Sequence, residues 1–380
     1  MQGAAMPERL TKLYIEITTA CNLDCIMCVR RAWHEPIGSM PRATFAGLME
    51  QIAELPNPPV IHLSGFGEPM AHPHFLEYVQ LAKAAGAKVE ATSNGTLLDE
   101  RMARALLDLD LDRLVVSLDG ASAASFEGIR ERGSFQQVID NLHTLKQLRM
   151  HGTGRRGGRH ANPQLALAFV AMRENVADLD KLPRLANQLG AWEILVSNLV
   201  PHTPELEHEI LYSRSLTACA YRASRWVPSL SLPKLDFNAD TLEPLAGVFN
   251  STASLTMGGI SLSACNDTCR FAQEGFAVVR WDGEISPCLS LLHDHPEYIR
   301  GRRKDVTHHS FGNIKRQSLL EIWDSPQYAG FRERVRAFHF SPCTTCGGCE
   351  RFPFNFEDCT GNDFPICGGC LWAQGFVQCA

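Results

Sequence analysis

Cys21, Cys25 and Cys28 place three thiols within eight residues, in the run Cys-Asn-Leu-Asp-Cys-Ile-Met-Cys. A loop of this length can wrap one face of a cubane iron–sulfur cluster, each sulfur reaching a different iron. The fourth iron then takes no ligand from this stretch. An open iron binds substrate or cofactor, whereas four cysteines make a closed electron carrier. The alternative is a structural zinc site completed by His34 or by a distant cysteine. Zinc sites favour paired Cys-x-x-Cys knuckles, which the wider first gap suits less well. On spacing alone both readings stay open.

The chain of 380 residues has 14 cysteines, and the others gather near its end. Cys265, Cys269, Cys288, Cys343, Cys346, Cys349, Cys359, Cys367, Cys370 and Cys379 form this second group. Cys219 stands between the groups and reads as a buried apolar thiol. Disulfide frameworks belong mainly to small secreted domains. The opening MQGAAMPERLTKL lacks the apolar stretch of a secretory signal. Close Cys-x-x-Cys steps in such a chain favour metal binding in a reducing compartment, so a cytoplasmic protein is expected. No run of about eighteen apolar residues is present, so neither a membrane span nor a membrane partner is expected. The net charge of −6 argues against nucleic acid as a partner. The basic stretch 151–160 reads as a solvated glycine-rich loop.

The elements that must position these cysteines alternate between strand and helix. Strands are expected at 13–19, 60–64, 87–93, 113–119, 164–172 and 192–200, with helices at 42–54, 73–86, 99–108, 122–149 and 178–190. Leu179, Leu182, Leu185, Ala186 and Leu189 mark one helical stripe, and Gly86 and Gly190 suit left-handed helix ends. Six βα units imply an α/β fold with parallel strands and right-handed crossovers, either doubly wound or a partial (βα)6 barrel. Either arrangement puts the ligand site at the C-terminal ends of the strands. The first cysteines follow the first strand directly. The expected division is 1–200 as this α/β domain, 201–262 as a connector interrupted by prolines, and 263–380 as a cysteine-rich extension. The last segment shows little helical period and should bury little apolar area without metal.

Further motifs follow in order: Ser64-Gly65-Phe66-Gly67-Glu68-Pro69, Thr92-Ser93-Asn94-Gly95-Thr96, Ser117-Leu118-Asp119-Gly120 and Gly128-Ile129-Arg130. Taken singly, Asn94-Gly95 is an ordinary turn and Asp119 an ordinary helix cap. Together with Cys-x3-Cys-x2-Cys they resemble the radical S-adenosylmethionine (SAM) enzymes, of the partial-barrel type. The resemblance implies that Cys21, Cys25 and Cys28 hold a [4Fe–4S] cluster that binds SAM. Gly65, Gly67, Glu68 and Pro69 would hold the amino group of SAM, with Asn94 in the next turn. Ser117 and Asp119 would lie at the ribose and Arg130 at the carboxylate. Met27 departs from the aromatic residue many relatives carry before the last cysteine.

The later cysteines resemble the SPASM extension of radical SAM maturases, which usually holds two auxiliary [4Fe–4S] clusters. By that likeness Cys265, Cys269 and Cys288 serve one cluster, completed by a later cysteine, and Cys343 and Cys346 begin the other. Cys349, Cys359, Cys367, Cys370 and Cys379 depart from the usual spacing, and ten thiols exceed the eight that two clusters need. One cluster with one zinc site is the alternative. Arg30–Pro36, Ser197–Pro204 and Cys367–Gln374 are similar to maturases that accompany tungsten-dependent aldehyde oxidoreductases. The implied partners are a peptide or protein substrate, such as a tungsten oxidoreductase, and a low-potential electron donor such as ferredoxin or flavodoxin. Trp33 and Trp372 read as packing beside a cluster. His34, His62, His72 and His74 read as surface or hydrogen-bonded histidines, with proton transfer as the alternative role. A non-catalytic electron carrier and a zinc-stabilised interaction protein are the rival functions, though neither needs the ordered motifs at 65–69 and 130.

Overall fold

The computed structural model describes residues 9–151, 162–213, 216, 229–249, 254–257, 260–261, 269–341, 343 and 349–379. The basic stretch from 152 onward, Cys219, Cys265 and Cys346 lie outside them. Six strands, β1 (Lys12–Ile15), β2 (Val60–Leu63), β3 (Val89–Ser93), β4 (Arg113–Ser117), β5 (Gln164–Ala171) and β6 (Glu193–Asn198), pair in parallel in that order. A doubly wound sheet reverses its strand order at a switch point. This sheet has no reversal, so the order is that of a barrel segment.

The crossover helices are α1 (Arg42–Ala53), α2 (Phe75–Ala84), α3 (Glu100–Asp108), α4 (Ala123–Ile129), α5 (Phe135–His151) and α6 (Leu182–Leu189). Each presents an apolar stripe inward; on α1 it is Phe45, Leu48, Met49 and Ile52. Gly86 and Gly190 adopt the left-handed conformation after α2 and α6, as their positions suggest. The helix expected over 122–149 is two helices. The chain breaks at Arg130 and turns through Arg132, whose φ is +69°. The break turns Arg130 in toward the sheet ends, where it is buried.

The stretch read as a connector carries β7 (Ser229–Leu232), α7 (Ala239–Phe249), β8 (Ser254–Met257) and β9 (Ile260–Ser261), with β7, β8 and β9 forming a small sheet. The last segment holds α8 (Arg270–Glu274), β10 (Phe276–Val279), β11 (Ile285–Ser286), β12 (His295–Ile299), β13 (Arg302–Val306), α9 (Leu319–Trp323) and α10 (Pro326–Ala337). Little apolar burial is expected there from the sequence, and this is corrected. β10 pairs in parallel with β1, and β11 antiparallel with β10, extending the main sheet to eight strands. Trp323, Tyr328, Phe331 and Val335 join the same apolar core as Leu13, Ile15 and Ile61. The reason is the two short helices: their aromatic residues carry large apolar areas in few positions.

Candidate active site and cysteine pockets

The loop of Cys21, Cys25 and Cys28 begins just past the C-terminal end of β1. Backbone bonds pin it to the end of α4: Ile26 N donates to Ile129 O at 2.9 Å and Asp24 N to Glu131 O at 3.2 Å. Arg31 reinforces the seam by pairing with Asp24 and Glu131. N–H groups face the sulfurs. Leu23 N lies 3.4 Å and Asn94 Nδ2 3.8 Å from Cys21 Sγ, and Arg130 Nη1 lies 3.9 Å from Cys25 Sγ. Burial pushes the Cys25 thiol up to about 11, against the attraction of Arg130. Iron supplies the missing positive charge that makes such a thiol a thiolate ligand. Three unpaired thiols on one loop under polar donors have the donor chemistry of a cluster's ligands, although among the described residues no three such side chains converge on a single metal ion.

The second loop packs against the first through Gly67. A Cβ at this position would meet Thr18 O at 2.2 Å and Ala20 O at 2.7 Å, so only glycine fits. The adjacent Glu68 N donates to Ala20 O at 2.8 Å. Gly65 has a φ of +135° and lies against Glu16. The Glu68 carboxylate is buried and accepts from Met70 N at 3.0 Å, Ser93 Oγ at 2.9 Å and Asn94 N at 2.7 Å. Burial raises its pKa against these bonds. Pro69 opens the short turn Pro69–Ala71 that carries Met70.

Asn94 ties its turn to the cysteine loop. Its Oδ1 accepts from Thr96 N and Oγ1, and its Nδ2 donates to Asn22 Oδ1 at 2.9 Å. Ser117 is half-buried at the last position of β4. Asp119 is buried and accepts from Arg130 Nε at 2.7 Å, Arg130 Nη2 at 2.6 Å and Val170 N at 2.7 Å. The pairing with Asp119 raises the Arg130 pKa against burial. The structure thus joins Cys21 with Asn94 and Glu68, and Cys25 with Arg130 and Asp119.

A third component is absent from the sequence reading. His293, before β12, donates toward two carboxylates: Nε2 lies 2.8 Å from Glu16 Oε1 and Nδ1 lies 2.7 Å from Glu35 Oε2. Burial alone would lower its pKa, but the two carboxylates hold it up at about 9. Glu16 Oε2 accepts from Phe66 N at 3.1 Å, and Trp33 packs on Phe66 and His293. The one available signal was Glu16 itself, a lone acid in an apolar strand, buried in the structure. His34 is exposed, His62 bonds Thr92 and lies beside Glu90, His72 accepts from His74 N, and His74 pairs with Glu77. Each has a hydrogen-bonded or surface setting.

The described late cysteines fall into two groups, while Cys265 and Cys346 of the expected sets lie outside the described residues. Cys269, Cys288, Cys367 and Cys370 line one apolar cavity with Phe271, Tyr328 and Trp372. They are near enough that ionising Cys370, Cys269 or Cys367 opposes ionising Cys288. Cys379 lies beside this group, and burial pushes it up to about 12. Cys343, Cys349 and Cys359 form a second group, open to solvent at Cys349 and Cys359. The resemblance placed one later cysteine beside Cys269 and Cys288, and both Cys367 and Cys370 line their pocket. Their Cys-x-x-Cys spacing was the signal.

The Radical SAM superfamily model matches residues 15–158, and the SPASM iron–sulfur cluster-binding domain matches residues 269–350. The tungsten-containing aldehyde ferredoxin oxidoreductase cofactor-modifying protein of Pyrococcus furiosus is 30% identical over 97% of this chain and 96% of its own. The chain belongs to the radical SAM/SPASM family. It is a radical SAM enzyme, with SAM and [4Fe–4S] clusters as its cofactors. The mycofactocin maturase MftC of Mycobacterium tuberculosis is 30% identical, covering 95% of this chain and 78% of its own. Among solved structures, Streptococcus suis SuiB bound to precursor peptide SuiA superposes with a TM-score of 0.57 at 15% identity, covering 90% of this chain and 70% of SuiB. anSMEcpe with bound AdoMet gives 0.57 at 16% identity, covering 89% and 87%. These two show the fold of this radical SAM enzyme. Among the described residues, no helix is long and apolar enough to cross a membrane.

Proposed function

We propose that this radical SAM enzyme acts on a protein-bound cofactor during maturation of a tungsten-dependent oxidoreductase. Similarity along nearly the whole chain to the Pyrococcus furiosus cofactor-modifying protein supports the substrate class. The observation carrying the chemistry is the three-thiol loop flanked by Arg130 and Asn94, with no fourth cysteine in the loop. Bound there, a cluster and SAM would supply one-electron reductive chemistry aimed at a substrate C–H bond.

The protein orients and neutralises. The Gly65–Gly67 backbone meets the amino end of SAM, and Glu68 acts by bracing that loop through Met70 N and Asn94 N. Arg130 neutralises the SAM carboxylate, aimed by Asp119. Asn94 and Arg130 direct N–H groups at cluster sulfurs, which favours the reduced state. Ser117, at the end of β4, would meet the ribose. Cys269, Cys288, Cys367 and Cys370 hold a fully ligated auxiliary cluster, and Cys343, Cys349 and Cys359 with Cys346 a second. A ferredoxin or flavodoxin supplies electrons. The chain divides as 1–200, 201–262 and 263–380, with the last segment sharing the sheet and core of the first.

Anaerobic reconstitution should give about twelve irons per chain, four for each cluster. Adding a tungsten oxidoreductase purified without this enzyme should stimulate 5′-deoxyadenosine formation and change the mass of its cofactor. The second reading is a peptide substrate. It draws support from the similarity to MftC and to the PqqA peptide cyclase of Gluconobacter oxydans, 26% identical over 95% of this chain. Stimulation by a peptide but not by the oxidoreductase would favour it.

A further inference from the structure

Lys304, on β13, is a lysine with 6% exposure in a cysteine-rich region. Its Nζ donates to Gly369 O at 2.8 Å, in the loop between Cys367 and Cys370, and lies 3.5 Å from Glu297 Oε2 on β12. A Cβ built on Gly369 would lie 3.2 Å from Lys304 Nζ and 3.5 Å from Cys343 Cβ. The ammonium therefore sits where the two late cysteine groups meet. Glu297 is its buried counter-charge, held well down at about 2 against burial by Lys304 and His295. His295 and His202 complete the polar surroundings: His295 Nε2 lies 3.5 Å from Glu297, and the two rings meet edge to face at 5.2 Å.

We propose that Lys304 is a shared electrostatic tuner of both auxiliary clusters, raising their reduction potentials together, with Glu297 offsetting part of its field. This rests on the reading that both cysteine groups hold clusters. A buried ion pair is expensive to assemble from water and is weak evidence of stabilisation. An ammonium beside two anionic clusters has a separate use. Inside low-dielectric protein its charge acts at close range with little screening, and cluster potentials follow net local charge. Reduction adds one electron to a cluster, and a fixed cation stabilises the more negative product.

The test is an EPR-monitored redox titration of reconstituted full-length protein. Lys304→Met should lower both auxiliary potentials, changing the reduced-to-oxidised ratio at fixed potential about tenfold, or about 59 mV for a one-electron couple. Glu297→Gln should raise both, and Lys304→Met/Glu297→Gln should fall between. Lys304→Arg should stay near wild type. The cluster of Cys21, Cys25 and Cys28 should not shift in any of them. A lysine that only props the Gly369 carbonyl would give no opposite-signed shifts, and that result overturns the proposal. If Lys304→Met alone loses iron, the Glu297→Gln and double variants still decide the sign. Wild-type protein with iron for only the first cluster would overturn instead the reading that the late cysteines hold clusters.

Discussion

The two best-formed cysteine sites differ in number of thiols and in what surrounds them. Around Cys21, Cys25 and Cys28 the walls are polar: Asn22, Asn94, Arg130 and three loops linked by backbone bonds. Around Cys269, Cys288, Cys367 and Cys370 the walls are Phe271, Phe276, Tyr328, Phe331 and Trp372. A three-thiol site with donors left to orient a second molecule is suited to a reactant. A four-thiol site sealed by aromatic rings suits electron storage and transfer. The same ligand atom would then serve two tasks in one chain, with the enclosure deciding which.

The comparison predicts a sharp asymmetry. Cys25→Ala should reduce 5′-deoxyadenosine formation below detection and remove about four irons. Cys288→Ser should remove a similar amount of iron yet leave SAM cleavage measurable, while substrate turnover falls. Equal effects of the two on SAM cleavage would break the distinction. Arg130→Met leaves Asp119 buried without its ion pair, so a stability loss of about 3–5 kcal/mol is expected in denaturant titrations. It should also weaken SAM binding measured by calorimetry.

His293→Gln sharpens the polar side of the comparison. A histidine raised from 6.5 to about 9 contributes on the order of 3 kcal/mol. That contribution is fully present below pH 6.5 and lost as pH rises through about 9. Thermal melts should therefore separate wild type and variant at pH 6 and bring them together above about pH 9. A constant gap would refute the charged His293 bridge. Gly67→Ala should cost roughly 1–3 kcal/mol, because its methyl meets Thr18 O and Ala20 O. SAM affinity should drop more than global stability, since the loop shifts before the sheet does.

Periodicity made the six strands and their crossover helices legible, because each helix has one buried stripe and each parallel strand an apolar run. The split of 122–149 was hidden, since α4 and α5 share a continuous helical pattern and only the backbone at Arg130–Gly133 separates them. Except for Arg130, which follows α4, the residues expected at the SAM site lie at strand ends, where short-range motifs are visible in sequence. Long-range partners were not. His293 reaches Glu16 across 277 positions and Lys304 reaches Gly369 across 65, and no local spacing encodes either pair. The pairing of Cys269 and Cys288 with Cys367 and Cys370 is likewise set by how β10, β11 and α10 pack. Ten thiols of similar spacing do not specify their own partition.

The decisive measurement is 5′-deoxyadenosine after dithionite reduction of reconstituted wild type, Cys25→Ala and Cys288→Ser in the presence of SAM. Product from wild type and Cys288→Ser, with none from Cys25→Ala, is the predicted result. No product from wild type, or undiminished product from Cys25→Ala, would contradict the assignment of SAM cleavage to the Cys21, Cys25 and Cys28 loop.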